Sequence, residues 1–176
     1  MYIYIFDLDN TLLPTSDIQK KIVNIPSNTP GISSTNFYNF IKKNNTLDQL
    51  IKKIPNKKYI LSNATKLHVI NSLERLGIIN NFDEIIDRDI TYTLKPNLNN
   101  YIITMNLVSS SLNINNNLIS YIFFDDMISN LITAKYIGWI TVYIGNKQNR
   151  HNSVDYSFNN IFDALLFFIK NKKYHI

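Results

Sequence analysis

Short apolar runs divide the chain, and polar residues follow most of them. The clearest runs are residues 2–6, 59–61, 121–124 and 139–144, with a shorter one at 84–86. None of them alternates between apolar and polar residues, as a strand with one face in water would. Continuous runs of Ile, Tyr, Phe and Val are typical of parallel strands that helices cover on both faces. We therefore predict five buried parallel strands.

Helical patterns fall between these runs. The pattern predicts a helix over 66–76 that ends at Gly77, with Leu67, Ile70, Leu73 and Leu76 near its inner face. Pro96 is expected to open a second helix, with Leu98, Tyr101, Ile102 and Met105 inward. Two more helices are expected over 128–137, before Gly138, and over 160–170. Alternating strands and helices predict an α/β fold, a Rossmann-like three-layer sandwich around a parallel sheet.

Residues 14–57 differ from the rest of the chain. They contain four of the five prolines and many Ser and Asn residues, with two short helical patterns near 37–43 and 47–54. The segment follows the first strand and reads as a small helical cap over the carboxyl edge of the sheet. The sequence thus predicts a catalytic core formed by residues 1–13 and 58–176, with a cap insertion over residues 14–57.

Composition narrows the function classes. The 176 residues suit one domain. The lack of cysteine excludes disulfides, thiolate nucleophiles and Cys-ligated zinc. No apolar run reaches the roughly 20 residues of a membrane span, and the early Asp7 does not fit a signal peptide. We expect a soluble, cytoplasmic protein without a membrane partner. The net charge of +5 reflects either compositional bias or a phosphate-rich partner.

Polar residues stand at or beyond the carboxyl ends of the predicted strands, the edge where open α/β sheets bind ligands. Asp7, Asp9 and Thr11 follow the first strand, and Ser62-Asn63 follows the second. Lys95-Pro96 comes after the short third strand, and Asp125-Asp126 after the fourth. Asp7-Leu8-Asp9 alone is a weak signal, Lys95-Pro96 alone is weaker, and Asp125-Asp126 after four apolar residues is a moderate one. Their order, with each at the right place on its element, is a strong one.

Carboxylates grouped at one edge repel one another unless a cation lies among them. Hard oxygen ligands without sulfur or clustered His favour Mg²⁺ over zinc. Lys95 would add a fixed positive charge facing carboxylate and phosphate together. Ser62 and the amide of Asn63 can donate hydrogen bonds to phosphoryl oxygens at a strand-to-helix junction. The residues therefore predict a magnesium site beside a phosphate site.

The stretches 6–12, 61–64, 95–96 and 124–126 resemble the four motifs of the haloacid dehalogenase-like (HAD) superfamily. The resemblance runs from residue 2 to about residue 145, apart from the 14–57 insertion. The second half looks most like pyrimidine 5′-nucleotidase-type members. The residues that carry this closer likeness are Ser62-Asn63-Ala64 with His68, Leu73, Leu76-Gly77-Ile78, Phe82-Asp83, Lys95-Pro96, and Asp125-Asp126 with Asn130.

The resemblance implies a Mg²⁺-dependent phosphomonoesterase that acts through an aspartyl-phosphate. Asp7 would attack phosphorus, and Asp9 would act as acid and then as base. Ser62 would orient the phosphoryl group, and Lys95 would stabilise its charge. Asp7, Asp125 and the backbone carbonyl of Asp9 would hold Mg²⁺, with Asp126 binding directly or through water. Thr11 and Asn130 would buttress this shell. Superfamily dehalogenases lack an acid at the place of Asp9.

Several alternatives stay open. Ser62 could also, or only, cap the next helix, Asn130 could be a helix-surface residue, and His68 is more often structural than catalytic in such a position. Phe37, Tyr38 and Phe40 would either pack the cap or stack on a nucleobase.

The cap is shorter than that of nucleotidase-type relatives. This suggests an open site for a nucleic-acid end or phosphoprotein, or a cap completed by a second subunit of a homo-oligomer. The lysine pairs 42–43, 52–53 and 57–58 would suit an anionic substrate. A nucleoside monophosphate is the first expectation for the substrate, while a phosphomutase or a non-catalytic phosphate-binding protein remains an alternative.

Overall fold

The structure is a computed structural model and describes residues 1–23, 37–146 and 151–175. Six strands form one parallel sheet in the order β3-β2-β1-β4-β5-β6. The strands are β1 (Tyr2–Phe6), β2 (Lys58–Leu61), β3 (Glu84–Ile86), β4 (Ser120–Asp125), β5 (Ile140–Ile144) and β6 (Tyr156–Phe158). The five expected strands are present. The edge strand β6 was not predicted, because three residues with a central Ser give little apolar signal.

Helices cover both faces of the sheet. They are α1 (Thr15–Val23), α2 (Asn45–Lys52), α3 (Lys66–Leu76), α4 (Arg88–Thr91), α5 (Leu98–Leu112), α6 (Ile128–Tyr136) and α7 (Ile161–Lys170). Tyr4 and Phe6 of β1 belong to a core that includes residues of α2, α3 and α7. Ile3 and Ile5 face the opposite core, with residues of α5 and α6. The α/β three-layer sandwich predicted from the sequence is confirmed.

Two helices expose faces that the sequence pattern had placed inward. Leu67 of α3 is largely exposed, and Leu98 and Ile102 of α5 are partly exposed. The inner face of α5 instead carries Asn100 and Thr104 beside Tyr101. Asn100 Nδ2 donates to Thr91 Oγ1 (2.9 Å) and to the carbonyl of Thr93 (2.7 Å), so this polar face braces the loop that leads to Lys95.

Helix ends follow ordinary capping chemistry. Thr65 caps α3, accepting a hydrogen bond from the backbone N–H of His68, and Gly77 ends it in the left-handed conformation (φ 75°). Helix α5 begins at Leu98 with Asn97 as its cap, two residues after Pro96. Pro96 is therefore just outside the helix that it was expected to open. The Lys95–Pro96 peptide bond is cis.

The 14–57 segment is only partly described, since residues 24–36 lie outside the described residues. Helix α1 was not predicted, and the helical pattern near 37–43 is a 3-10 turn over Phe37–Phe40. Leu47, Leu50 and Ile51 of α2 are buried in the core that contains Tyr4 and Phe6 of β1, where α2 packs against α7. Helix α2 thus covers the sheet rather than its carboxyl edge. The assignment of 14–57 to a separate cap stays a prediction.

Among the described residues, no helix combines the length and the apolar character needed to cross a membrane.

Candidate active site

The strand order reverses direction between β1 and β4, which is the point where open α/β sheets bind ligands. Phe6 of β1 lies in register with Phe124 of β4. The next residues, Asp7 and Asp125, therefore emerge side by side, and the N–H of Asp7 donates to the carbonyl of Phe124 (2.9 Å). Sheet pairing alone brings together two acids from opposite parts of the chain.

Lys95 lies between these two acids. Its ammonium group donates to Asp7 Oδ1 (2.7 Å), Asp125 Oδ2 (2.9 Å) and the carbonyl of Leu61 at the end of β2 (2.7 Å). Only 4% of Lys95 is exposed, and its Nζ lies 5.2 Å from the ring centre of Phe123. Burial lowers the pKa of Lys95, but the charges of Asp125 and Asp7 outweigh burial, so its pKa is raised and it stays protonated.

A group of three carboxylates, Asp7, Asp125 and Asp126, could hold a metal ion. One oxygen from each lies within 4.8 Å of the others. Burial raises the pKa of Asp7 to about 7, against the opposing charge of Lys95 and with the aid of Asp125. Burial and the charge of Asp125 raise the pKa of Asp126 to about 6. Burial, together with repulsion between neighbouring carboxylates, thus disfavours the ionised forms of Asp7 and Asp126 when no cation is present. All three side chains offer the hard oxygen donors that Mg²⁺ prefers.

Asn130 orients the carboxylate of Asp125. It is buried in α6, and its Nδ2 donates to both oxygens of Asp125, each at 3.0 Å. The N–H of Met127 donates to Oδ1 of the same carboxylate (2.8 Å). Tyr101 Oη in turn donates to the carbonyl of Asn130 (2.8 Å), which ties α5 to α6. Asn130 thus has the buttressing contact expected from the sequence and is not a helix-surface residue.

The residues after β2 make contacts that the sequence did not indicate. Ser62 is buried, and its Oγ accepts from the N–H of Ala64 (3.1 Å), so its hydroxyl hydrogen is left to donate elsewhere. The cap of α3 is Thr65 and not Ser62. The side chain of Asn63 binds the backbone of Lys95 at both its N–H (2.7 Å) and its C=O (2.9 Å). Phosphate binding by Ser62 and Asn63 stays a prediction.

Asp9 lies outside the three-carboxylate group and is partly open to solvent. Its Oδ1 accepts from Thr15 Oγ1 and pairs with His68 Nε2 (3.2 Å). Burial raises the pKa of Asp9, but hydrogen bonds from His68 and Thr15 outweigh burial and hold it below the usual range. Asp7 and Asp9 are therefore two carboxylates with different environments. Metal binding by the backbone carbonyl of Asp9 stays a prediction.

Thr11 and His68 are the two remaining polar residues of interest near the site. Thr11 is buried, but its hydroxyl has no hydrogen-bond partner among the described residues, so its expected buttressing contact is not seen there. His68 contacts Asp9, and Tyr38 Oη lies 3.2 Å from His68 Nδ1. The sequence singled out His68 because it lies one turn into the helix after Ser62. Its contact with Asp9 could not be predicted from the spacing of the two residues in the sequence.

No protein-family model and no curated protein matches the sequence. Solved structures do match it. The putative HAD-hydrolase YfnB from Bacillus subtilis, bound to magnesium, is 14% identical with a TM-score of 0.73, and the match covers 97% of this chain and 98% of that one. L-2-haloacid dehalogenase from Xanthobacter autotrophicus, with chloropropionic acid covalently bound, is 13% identical with a TM-score of 0.69. This match covers 94% of this chain and 97% of that one.

A HAD phosphatase from Thermococcus onnurineus is 18% identical with a TM-score of 0.62, over 96% of this chain and 98% of that one. At these identities the comparisons concern the backbone, and chemistry differs among the matched proteins. What they share with this chain is the course of the backbone over nearly the whole of both chains. The chain therefore has the α/β Rossmann-like fold seen in these solved HAD-hydrolase, dehalogenase and HAD phosphatase structures.

Proposed function

We propose that the protein hydrolyses phosphomonoesters, with Asp7 as the nucleophile and Asp9 as the acid and base. The observation that carries this proposal is the difference between the two carboxylates. Asp7 is buried against Lys95 beside two further acids, while Asp9 is more open and held by His68 and Thr15. Superfamily dehalogenases, which this chain resembles in backbone, lack an acid at the place of Asp9.

In the first half of the reaction, an oxygen of Asp7 attacks phosphorus, and the bond from phosphorus to the leaving oxygen breaks. The electron pair stays on the leaving oxygen, which takes a proton from Asp9. In the second half, water attacks phosphorus, the bond to Asp7 breaks, and Asp9 accepts the proton of the water. Asp9 ends protonated, ready for the next turnover.

The chain's own residues suit these steps. The lowered pKa of Asp9 in the free protein gives the carboxylate form that activates water. A bound phosphate would raise that pKa by charge repulsion and so hold the proton required in the first half. Lys95 would stabilise negative charge on Asp7 and on phosphoryl oxygens, and the free hydroxyl hydrogen of Ser62 would orient one of those oxygens.

Asp7, Asp125 and Asp126 would hold Mg²⁺. When bound, the ion would offset the repulsion between these carboxylates and substrate phosphate and polarise the phosphoryl group. Support comes from the hard-oxygen donor set and from the raised pKa values of Asp7 and Asp126. The similar structure of YfnB was obtained with magnesium bound.

A small substrate, with a nucleoside monophosphate as the first choice, is favoured over a polymer end or phosphoprotein. Lys57 and Lys58 lie at or before the start of β2, away from the carboxyl edge, and Lys57 pairs with Asp83. Lys52 pairs with Asp48 on α2. These lysines therefore do not form a basic track beside Asp9. The rings of Phe37 and Tyr38, next to His68, offer an apolar surface near the leaving-group side.

The test is phosphate release from a panel of esters, with Mg²⁺ or with EDTA, for wild type and Asp7→Asn. The panel contains pyrimidine and purine monophosphates, sugar phosphates, a phosphopeptide and 5′- and 3′-phosphorylated oligonucleotides. We expect Mg²⁺-dependent release that Asp7→Asn abolishes, with a phosphoryl adduct on Asp7 detectable by mass spectrometry. A parallel incubation with 2-chloropropionate measures chloride release. Chloride without phosphate would overturn the proposal in favour of dehalogenation.

A further inference from the structure

His68 connects the acid of the site with the inserted segment. Its Nε2 lies 3.2 Å from Asp9 Oδ1, and its Nδ1 lies 3.2 Å from the hydroxyl of Tyr38. An ionised carboxylate can only accept hydrogen bonds, so Nε2 donates to Asp9. In a neutral imidazole, Nδ1 then accepts, and the Tyr38 hydroxyl donates to it. The three side chains form one directional chain from Tyr38 through His68 to Asp9.

The imidazole is fixed from several sides. The backbone N–H of His68 donates to the capping hydroxyl of Thr65, which locks the first turn of α3. The ring centres of Phe37 and Tyr38 lie 5.7 Å and 5.8 Å from that of His68. Less than a quarter of the His68 side chain is exposed. A ring restrained in this way presents its Nε2–H in one direction only.

Both side-chain partners of Asp9 converge on the same oxygen. Thr15 Oγ1 donates to Oδ1 from the start of α1, and His68 donates to it from α3. With Oδ1 fixed by two donors on different elements, the plane of the carboxylate is set, and Oδ2 is the oxygen left to exchange a proton with substrate. A general acid works only within hydrogen-bond reach of the atom that it protonates. Orientation of this plane is therefore a requirement for leaving-group protonation.

We propose that His68 is a positioning residue that orients the Asp9 carboxylate. Tyr38, from the inserted segment, in turn holds the His68 ring through its hydroxyl, so the orientation of Asp9 depends on this segment. The inference rests on the proposed phosphomonoesterase function. Among the described residues, His68 contacts Asp9 and not the proposed nucleophile Asp7, so it should affect the step in which the leaving oxygen takes its proton. Esters whose leaving group departs as a stable anion do not need that proton.

The test compares kcat/KM for two substrates, p-nitrophenyl phosphate and uridine 5′-monophosphate. This quantity covers the steps up to departure of the leaving group, and only the nucleotide has an alkyl leaving oxygen that requires protonation. General acid catalysis contributes about 10²–10⁴-fold, and loss of orientation is expected to remove part of it. For His68→Ala we expect a loss of about 10–100-fold with the nucleotide and less than about 3-fold with the aryl ester.

Matched variants separate positioning from general damage. His68→Gln keeps an N–H donor and should restore most of the nucleotide activity, while Leu67→Ala, an exposed neighbour on α3, should leave both substrates unaffected. Tyr38→Phe removes only the hydroxyl and should show the same selectivity with a smaller loss. The double variant Tyr38→Phe/His68→Ala should lose little more nucleotide activity than His68→Ala alone, because both residues act through the contact of His68 with Asp9.

Two results would overturn the inference while leaving the proposed function intact. One is an equal loss with both substrates in His68→Ala, which is the signature of a damaged site. The other is unchanged kcat/KM for the nucleotide in a folded variant. If wild-type protein released phosphate from neither ester, the proposed function itself would fail, and this inference would fail with it.

Discussion

The side-chain amide of Asn63 binds the backbone of Lys95 on both sides, accepting from its N–H at 2.7 Å and donating to its C=O at 2.9 Å. The backbone of Lys95 is thus held by a residue of the β2–α3 loop, while its ammonium group binds Asp7 and Asp125. Asn63 therefore acts on the site through Lys95, whatever contact its own backbone makes with substrate.

Asn63→Ala should lower kcat by about 10- to 100-fold, because misplacement of a catalytic group by about 1 Å has effects of this size. The inhibition constant of inorganic phosphate should rise by a smaller factor than kcat falls, since the lost side chain holds Lys95 and affects phosphate only through it. Steady-state kinetics with phosphate as inhibitor measures both. Asn99→Ala, at an exposed position of α5, is the control. A large rise in the inhibition constant would instead assign the Asn63 side chain to phosphate binding.

Lys95→Met should destabilise the protein by about 3–5 kcal/mol in the absence of metal, because it leaves two buried carboxylates without their cation. The melting temperature should fall by about 10 °C or more. Mg²⁺ should restore part of the loss, so its stabilising effect should be greater in Lys95→Met than in wild type. Lys135→Met removes the half-exposed pair with Asp155 and should cost at most about 1 kcal/mol. If Lys95→Met and Lys135→Met were equally stable without metal, Lys95 would not be the cation that stabilises the buried carboxylates.

Asn130→Ala should weaken Mg²⁺ binding by about 10- to 100-fold, as expected when a metal-binding carboxylate loses the donor that orients it. Activity at saturating Mg²⁺ should largely recover, because Asn130 touches Asp125 and not the nucleophile. A titration of phosphate release against Mg²⁺ concentration gives the apparent constant. Asn106→Ala on the exposed side of α5 provides the control. An unchanged Mg²⁺ constant would place the ion away from Asp125.

The metal-free protein should lose stability as pH rises from about 4 to about 7. In this window the unfolded chain has released the protons of Asp7 and Asp126, whose ordinary pKa is near 4, whereas the folded state, with pKa values of about 7 and about 6, still holds them. Folding then requires proton uptake, so higher pH opposes it. Thermal melting across this range in EDTA measures the effect.

Mg²⁺ should reverse this dependence, because it binds the ionised carboxylates and competes with protons. The increase in melting temperature on adding Mg²⁺ should therefore be larger at pH 8 than at pH 5. Asp126→Asn, with one titrating group fewer, should show a shallower pH dependence in EDTA. A stabilisation by Mg²⁺ that is independent of pH would indicate a site elsewhere on the protein.

The sequence was sufficient to predict five of the six described strands and the residues that meet at the carboxyl edge of the sheet. Continuous apolar runs predict buried strands wherever both faces are covered, and parallel strands end at one common edge. Asp7, Lys95 and Asp125 do meet there. Helix α1 escaped prediction because Thr15 and Ile18 are its only buried residues among many polar ones. The strand β6 escaped because it is short and lies at the edge of the sheet.

The inner face of α5 shows a different limit of sequence reasoning. Apolar spacing favoured Leu98 and Ile102 as well as Tyr101, yet Asn100 and Thr104 are buried beside Tyr101 and Val108, and Leu98 and Ile102 are partly exposed. Asn100 Nδ2 donates to Thr91 and to the carbonyl of Thr93, and Thr104 Oγ1 donates to the carbonyl of Asn100, which offsets part of the cost of burial. Asn100 Oδ1 has no hydrogen-bond partner among the described residues. The contacts of Asn63 with Lys95 and of His68 with Asp9 were also not predicted, because they join residues that are distant in sequence. Such pairings depend on geometry that the folded sheet alone defines.

The position of Asp7 and Asp125 at the ends of the two central strands has a consequence for dynamics. Strands β1 and β4 have neighbours on both sides and cannot separate without opening the middle of the sheet. A ligand held by both residues binds only while that region is folded, so its binding energy should oppose global unfolding rather than local fraying. Amide hydrogen exchange in β1 and β4, already the slowest expected in the molecule, should then slow further when the site is filled.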